Sequence, residues 1–127
     1  MSLTVLVVDD SKLARMALAK ALSSIDPGWA RLEAGNADEA VALLRDHAVD
    51  IVLLDFNMPG RDGLELAQEI RIAQPLAQVA LISANHQTEI VNRAAAVGAT
   101  FLAKPLNEAA LKNFLAAATE RLRTTAP

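Results

Sequence analysis

Short, almost continuously apolar segments alternate along this chain with longer segments in which apolar residues recur at helical spacing. The first kind is typical of buried strands and the second of amphipathic helices. The pattern predicts strands over 3–8, 29–34, 51–55, 78–83 and 100–103, and helices over 12–22, 37–47, 63–73, 87–97 and 106–123. Strand followed by helix, repeated five times, predicts an α/β fold: a parallel sheet with helices on both faces.

Capping signals support several of these helix boundaries. Asn36 followed by Glu39 matches a capping box, in which each residue satisfies a polar group of the other. Gly98 stands where a helix commonly ends in a left-handed residue. Pro75 cannot continue the third helix.

The polarity of the strands predicts their order in the sheet. Arg31 and Glu33 make the second strand the least apolar, which favours an edge position. The first and third strands are then neighbours, and right-handed crossovers give a doubly wound five-stranded sheet of order 2-1-3-4-5. Ligands of such sheets bind in the crevice at the carboxyl ends of strands one and three.

Composition narrows the class of protein. With 127 residues, 53% of them apolar and 3% aromatic, the chain fits one domain with a core of Leu, Val, Ile and Ala. A net charge of −3 without a Lys or Arg block argues against direct binding of nucleic acid or of a membrane surface. Cysteine is absent, which excludes disulfides, thiolate catalysis and Cys-ligated zinc. Without an apolar run of membrane-spanning length or a secretory signal, we expect a cytoplasmic location.

Polar residues that are suited to binding or catalysis lie at the predicted carboxyl ends of the strands. Asp9 and Asp10 follow strand one, Asp55 ends strand three, Ser83 ends strand four and Lys104 follows strand five. Alternation would send Asp9 and Asp10 to opposite faces, but the pleat relaxes where a strand becomes a loop. We therefore expect three carboxylates to converge, a donor set that suits Mg²⁺.

The stretch DFNMPGRDG places Asp55 before a turn-rich loop, beside open space. A carboxylate can attack phosphorus and form an aspartyl phosphate when a metal and a fixed cation spread the charge of the transferring group. Lys104 supplies the cation and Ser83 a hydroxyl donor. This set predicts phosphoryl transfer to Asp55.

Each residue also has an ordinary structural explanation. Asp10 and Ser11 are typical helix N-caps, and Asp55 is typical of a turn. Lys104 alone would be a solvated lysine, although Pro105 fixes its backbone and permits a cis peptide bond. Only the combination favours a phosphoryl-transfer site.

Other polar and aromatic residues are given structural roles. Ser83 or Asn85 is expected to cap the fourth helix. His47 and His86 are isolated from further metal ligands and are interpreted as surface residues. Trp29 and Phe114 are interpreted as packing residues.

Four stretches, VLVVDDS, DFNMPGRDG, ALIS and FLAKP, resemble in order and spacing the receiver domain of two-component response regulators, including the single-domain chemotaxis type. The resemblance covers essentially the whole chain, so residues 1–127 are interpreted as one receiver domain with a flavodoxin-like (βα)5 fold. Residues 1–3 are compatible with a cloning remnant, and 124–127 with a tail or the start of a linker.

The resemblance implies a phosphoacceptor and a metal site. Asp55 would accept a phosphoryl group from a phosphohistidine. Asp9, Asp10 and Asp55 would hold Mg²⁺, with Mn²⁺ as an alternative, and the backbone carbonyl of Asn57 would complete the site.

The resemblance also implies a switch. Ser83 and Lys104 would bind the phosphoryl oxygens, and Phe101 would swing inward when Ser83 moves, changing the face of helix 4, strand 5 and helix 5. Asn57 and Asn85 would tune the lifetime of the phosphorylated state. Ser83 stands where the family more often has Thr, and Phe101 where many members have Tyr.

The implied activity is that of a signalling phosphoacceptor, which catalyses only its own phosphorylation and slow autodephosphorylation. The implied partners are a sensor histidine kinase or phosphotransfer protein and a downstream protein or effector domain. The chain would be a monomer or a phosphorylation-dependent dimer, and either a stand-alone receiver or the amino-terminal receiver of a longer regulator.

Two other functions were weighed. A phosphohydrolase of the haloacid dehalogenase type needs an acid two residues after the nucleophile, where this chain has Asn57. A receiver-like module that is never phosphorylated usually lacks one of the acidic or Lys positions, and all are present here.

Overall fold

The structure is a computed structural model that describes residues 3–58, 62–84 and 88–125. Its strands are β1 (Thr4–Val8), β2 (Ala30–Ala34), β3 (Ile51–Asp55), β4 (Gln78–Ser83) and β5 (Ala99–Ala103). Its helices are α1 (Lys12–Ile25), α2 (Ala37–Asp46), α3 (Gly63–Ala73), α4 (Thr88–Ala96) and α5 (Glu108–Thr125).

The five strands form one parallel sheet of order β2-β1-β3-β4-β5, which confirms the predicted α/β fold and topology. The polar strand β2 lies at the edge, as its Arg31 and Glu33 predict. Every residue of β3, in contrast, is buried, because this strand lies at the centre of the sheet with helices on both of its faces.

Two apolar clusters cover the two faces of the sheet. Leu54 and Leu81 pack on the face that carries α2, α3 and α4. Leu53 and Ile82 pack on the opposite face, under α1 and α5. Full burial of such a side chain is worth about 1.5–3 kcal/mol, so the two clusters hold the strand ends rigidly.

The predicted capping residues lie where the sequence places them. Asn36 caps α2 and accepts the amide of Glu39 at 2.8 Å, while the Glu39 carboxylate accepts from the Asn36 side chain at 3.1 Å. Gly98 has a φ of 78°, in the left-handed region that favours glycine. Both observations confirm the predicted boundaries.

Most predicted boundaries differ from the observed ones by at most one residue, and the larger differences, of two or three residues, are in α1 and at both ends of α5. Helix α1 continues past Leu22 to Ile25 and ends before Pro27. Helix α5 begins at Glu108 instead of Leu106, because the Asn107 side chain accepts the Ala110 amide at 2.7 Å and acts as the cap. Neither change moves a strand end.

Among the described residues, none of the helices combines the length and the apolar character that crossing a membrane requires. Trp29 and Phe114 pack against the cluster under α1 and α5, which confirms their interpretation as packing residues.

Candidate functional site

Asp9 and Asp10 lie in the short connection between β1 and α1. Asp9 is 5% exposed, whereas Asp10 is exposed. Ser11 caps α1, since its hydroxyl accepts the Ala14 amide at 3.2 Å. The helix cap predicted for Asp10 or Ser11 is thus Ser11, and the Asp10 carboxylate is not used for capping.

Asp55 is the last residue of β3 and only 4% exposed. Its Oδ1 atom accepts from the Lys104 ammonium at 2.9 Å and from the Asn57 backbone amide at 3.2 Å. Both hydrogen bonds that the described residues give to this carboxylate go to the same oxygen. Asp55 is therefore held by one oxygen, with Oδ2 not engaged by that part of the chain.

Lys104 follows the edge strand β5, and its side chain extends past β4 to Asp55 at the end of β3. Its backbone amide donates to the Ser83 carbonyl at 2.9 Å, and its bond to Pro105 is a cis peptide. The side chain is 36% exposed, so its ammonium lies at the border between the site and solvent. The interpretation of Lys104 as an ordinary solvated lysine is wrong, because its ammonium pairs with a buried carboxylate.

The carboxylates of Asp9, Asp10 and Asp55 converge, as the sequence predicts. Each offers an oxygen, and these oxygens all lie within 4.8 Å of one another. Burial raises the pKa of the Asp9 carboxyl, and the charges of Asp55 and Asp10 raise it further. The Ser11 amide and Lys104 act in the opposite direction.

This donor set fits a hard divalent cation. Hard cations such as Mg²⁺ bind carboxylate oxygens and keep some of their waters, which one exposed and two buried carboxylates accommodate. Burial is the first cause of the raised pKa of Asp9 and the charges of Asp55 and Asp10 add to it, and a divalent cation would offset both. The observed chemistry of the residues thus agrees with the metal predicted from the sequence.

Ser83 and Phe101 share one face of the sheet. Ser83 is fully buried at the end of β4, opposite Ala103, while Phe101 pairs with Leu81 and is half-buried against the cluster under α2, α3 and α4. Ser83 is the last residue of β4 and α4 is described from Thr88, so the cap predicted for Ser83 or Asn85 depends on residues outside the described ranges and stays a prediction.

The remaining residues singled out from the sequence are two asparagines, two histidines and two residues of the loop after Asp55. Asn57 is exposed, and its contact with Asp55 is made through its amide. Asn85 and His86 lie outside the described residues, as do Pro59 and Gly60 of the loop after Asp55. His47 is exposed and terminates α2, which agrees with its interpretation as a surface residue.

Sequence reasoning missed Arg15. This residue lies in the first turn of α1, and its Nη1 donates to the backbone carbonyl of Asp9 at 2.5 Å. Its Nε lies 3.1 Å from a carboxylate oxygen of Glu33 in β2. Arg15 is four residues after the N-cap Ser11 and therefore lies on the same side of α1 as the cap. That spacing is the sequence signal that could have identified Arg15.

A groove of about 900 Å³ opens beside the acidic cluster, between α1 and α5. Asp9 and Lys104 line its site end, and Ala17, Lys20 and Leu111 line its walls. The groove therefore leads from the α1 side of the sheet to Asp9 and Lys104.

Most of the chain is similar to proteins of one known family. Residues 5–116 match the family model of the response regulator receiver domain. The transcriptional regulatory protein PdtaR of Mycobacterium tuberculosis is 36% identical over 121 residues, covering 94% of this chain and 58% of PdtaR. The sensor histidine kinase RcsC of Salmonella typhi is 38% identical over 95% of this chain, which corresponds to 13% of RcsC. The chain thus spans only part of the length of these relatives.

Solved structures show the same architecture. The chemotaxis protein CheY4 of Vibrio cholerae superimposes with a TM-score of 0.82 and 28% identity, covering 93% of this chain and 99% of CheY4. The signal receiver domain of a DNA-binding response regulator (merR) from Colwellia psychrerythraea has a TM-score of 0.87 and 28% identity, covering 94% of this chain and 99% of that chain.

Proposed function

This chain belongs to the response regulator receiver domain family, and we propose that it is a phosphorylation-operated switch in which Asp55 accepts a phosphoryl group from a phosphohistidine. One observation carries this proposal: the buried Asp55 carboxylate lies between an ammonium at 2.9 Å and two further carboxylates within 4.8 Å. A nucleophile, a fixed cation and a metal-binding set therefore occupy one site.

Asp9, Asp10 and Asp55 would hold Mg²⁺, with Mn²⁺ as an alternative, and the backbone carbonyl of Asn57 is the proposed additional ligand. When bound, the cation would neutralise charge on the transferring phosphoryl group. Asp9 and Asp55 are both buried, and each carboxylate is oriented by hydrogen bonds, to the Ser11 amide for Asp9 and to Lys104 and the Asn57 amide for Asp55.

Asp55 would attack with the oxygen that the described residues leave unengaged, Oδ2. The new bond joins this oxygen to phosphorus, the bond from phosphorus to the histidine nitrogen breaks, and its electron pair remains on the imidazole. Lys104 already contacts Oδ1 and would also meet the developing charge of a phosphoryl oxygen. A fixed ammonium at this place lowers the barrier without having to reorganise.

The proposed donor is the phosphohistidine of a sensor kinase or of a phosphotransfer protein. The groove between α1 and α5 begins at Asp9 and Lys104, and α1 also exposes Leu13 and Met16, at 78% and 55%. Exposed apolar side chains beside a reactive site are typical of a protein-binding surface. A donor of this kind, together with the receiver family, implies a cytoplasmic location.

Phosphorylation would act by shifting the balance between two conformations. The Ser83 hydroxyl would bind a phosphoryl oxygen, and Phe101, on the same face of the sheet, would follow. The shift is limited by how differently the two conformations hold the phosphoryl group. The surface that changes is the face of α4, β5 and α5, where a downstream protein or an effector domain would bind.

The test is incubation of the chain with acetyl phosphate and Mg²⁺, followed by intact-mass spectrometry. We expect a mass gain of one phosphoryl group, which disappears in Asp55→Asn and in excess chelator. The matched control is Asp46→Asn, which removes an exposed aspartate of α2 and should leave the mass gain unchanged. A mass gain that persists in Asp55→Asn would refute the proposal.

A further inference from the structure

The backbone of Asp9 is held from two directions by neighbouring elements. Its amide donates to the Ala34 carbonyl of β2 at 3.1 Å, and its carbonyl accepts from Arg15 of α1 at 2.5 Å. A third bond, from the Ser11 amide to the Asp9 carboxylate at 2.9 Å, orients the side chain. Asp9 is thus restrained at its amide, carbonyl and carboxylate.

The Asp9 carbonyl belongs to the peptide unit that joins Asp9 to Asp10. Because a peptide unit is planar, fixing the direction of its carbonyl limits the rotations that the two flanking residues can make relative to each other. Consecutive residues of a strand point to opposite faces, yet the carboxylates of Asp9 and Asp10 meet at one site. The contact from Arg15 acts on the peptide unit between these two residues.

Arg15 is itself fixed, so it can hold this peptide in place. Its side chain is 18% exposed, and its Nε lies 3.1 Å from a carboxylate oxygen of Glu33 in β2. The planar guanidinium therefore joins α1, β2 and the end of β1 through two of its nitrogens.

We propose that Arg15 is a positioning residue of the acidic site, which holds the Asp9–Asp10 peptide so that both carboxylates face the bound cation. This inference rests on the proposed function, since it takes the acidic cluster to be a Mg²⁺ site. Residues that orient metal ligands without touching the metal commonly change metal affinity when they are replaced.

A positioning role and a simple charge effect predict opposite results. Arg15 is positively charged, so if only its charge mattered, Arg15→Gln would strengthen Mg²⁺ binding. If Arg15 positions the ligands, Arg15→Gln weakens Mg²⁺ binding by about tenfold or more. The sign of the change in affinity, measured by calorimetry, separates the two explanations.

The matched control is Arg31→Gln. Arg31 also joins β2 to α1, through a hydrogen bond to the Ser23 hydroxyl, and its replacement removes the same charge. It pairs in register with Val5, at the other end of β1 from Asp9. We expect Arg31→Gln to leave Mg²⁺ affinity unchanged. Arg15→Lys keeps the charge, but its single ammonium cannot make both contacts, so its affinity should stay below that of the parent.

A second measurement needs no metal. In excess chelator, the amides of Asp9 and Ser11 should exchange hydrogen about tenfold faster in Arg15→Gln than in Arg31→Gln, because both hydrogen bonds depend on the restrained peptide. Equal exchange in the two variants, or Mg²⁺ affinity in Arg15→Gln that equals or exceeds that of the parent, would overturn the inference. Absence of Mg²⁺ binding by the parent would instead refute the proposed metal site, and the exchange measurement would then decide the role of Arg15 in orienting the peptide.

Discussion

Asp50 and Asp55 lie at the two ends of the same central strand and serve different purposes. Asp50, just before β3, accepts the Thr4 amide at 2.9 Å and so completes the backbone hydrogen bonding where β1 begins. Asp55, at the carboxyl end, faces two other carboxylates and one ammonium. Asp50 stabilises the fold by a backbone hydrogen bond. Asp55 lies next to two other carboxylates, which repel it, and is paired with only one ammonium.

The same contrast extends along both edges of the sheet. At the amino edge, the Gln74 side chain accepts from the Val49 amide at 2.7 Å and donates to the carbonyls of Leu44 and His47 at 3.0 and 2.8 Å. At the carboxyl edge, like charges converge and the pKa of Asp9 is raised by burial and by its neighbours. Polar residues thus satisfy the backbone at the amino edge, whereas the carboxyl edge also brings three carboxylates together at one place, where a ligand is expected.

The largest expected effect is on the phosphorylation rate of Asp55, at the carboxyl edge of the sheet. Lys104→Met should slow phosphorylation of Asp55 by acetyl phosphate by about 100-fold, because a fixed cation is lost where charge develops. Mg²⁺ should bind at least as tightly as in the parent, since a positive charge next to the acids is removed. Rates from intact-mass spectrometry at saturating Mg²⁺ check this.

Lys112→Met is the control for that prediction, because Lys112 is exposed and pairs only with Glu108 among the described residues. It should leave the phosphorylation rate unchanged. An unchanged rate in Lys104→Met as well would remove Lys104 from the reactive site.

The next largest effect is expected on stability, from a change at the amino edge of the sheet. Gln74→Ala removes hydrogen bonds to three backbone groups and should lower the free energy of unfolding by about 2 kcal/mol. Mg²⁺ affinity should not change, because Gln74 lies at the opposite edge of the sheet. Urea unfolding measures the first quantity and calorimetry the second.

Gln68→Ala is the matched control, since Gln68 is exposed on the same helix. It should change the free energy of unfolding by less than about 0.5 kcal/mol. A comparable loss in both variants would show that Gln74 does not hold the amino edge.

Asp9→Asn should have a smaller effect on stability, and of opposite sign. In excess chelator, replacing this carboxylate should raise the free energy of unfolding at neutral pH, because burial and the neighbouring carboxylates disfavour its charged form. Mg²⁺ binding should weaken at the same time. A loss of metal-free stability in Asp9→Asn would contradict the idea that this edge repels itself.

The pH dependence of this effect has a definite sign. The pKa of Asp9 is raised in the folded state, so the folded protein binds more protons than the unfolded one between the two pKa values. The stability of the metal-free parent therefore falls as pH rises through this window. Asp9→Asn should lack this part of the dependence, so its advantage over the parent should disappear in acid, as urea midpoints measured at several pH values would show.

The smallest effect on the chemistry is expected from Ser83→Ala. Asp55 should still be phosphorylated, because its own contacts with Lys104 and Asn57 do not involve Ser83. Phosphorylation should, however, change hydrogen exchange in α4 and β5 less than in the parent. An equal change in exchange would show that the Ser83 hydroxyl does not couple the site to that surface.

Much of the fold could be predicted because the relevant signals are local. The apolar run of β3, the polar alternation of β2 and the caps at Asn36 and Gly98 are properties of neighbouring residues. Strand order followed from polarity and from the handedness of crossovers. The convergence of three aspartates followed in turn, because parallel strands end at one edge of the sheet.

The tertiary structure alone decided which long side chains reach across elements. The guanidinium of Arg15 meets the Asp9 carbonyl and Glu33, and the Gln74 amide meets the loop before β3, only because packing sets the distance and angle between these elements. Such contacts depend on the positions of several elements and on side-chain rotamers together. Periodicity describes which residues are buried in each element and carries no information about these distances.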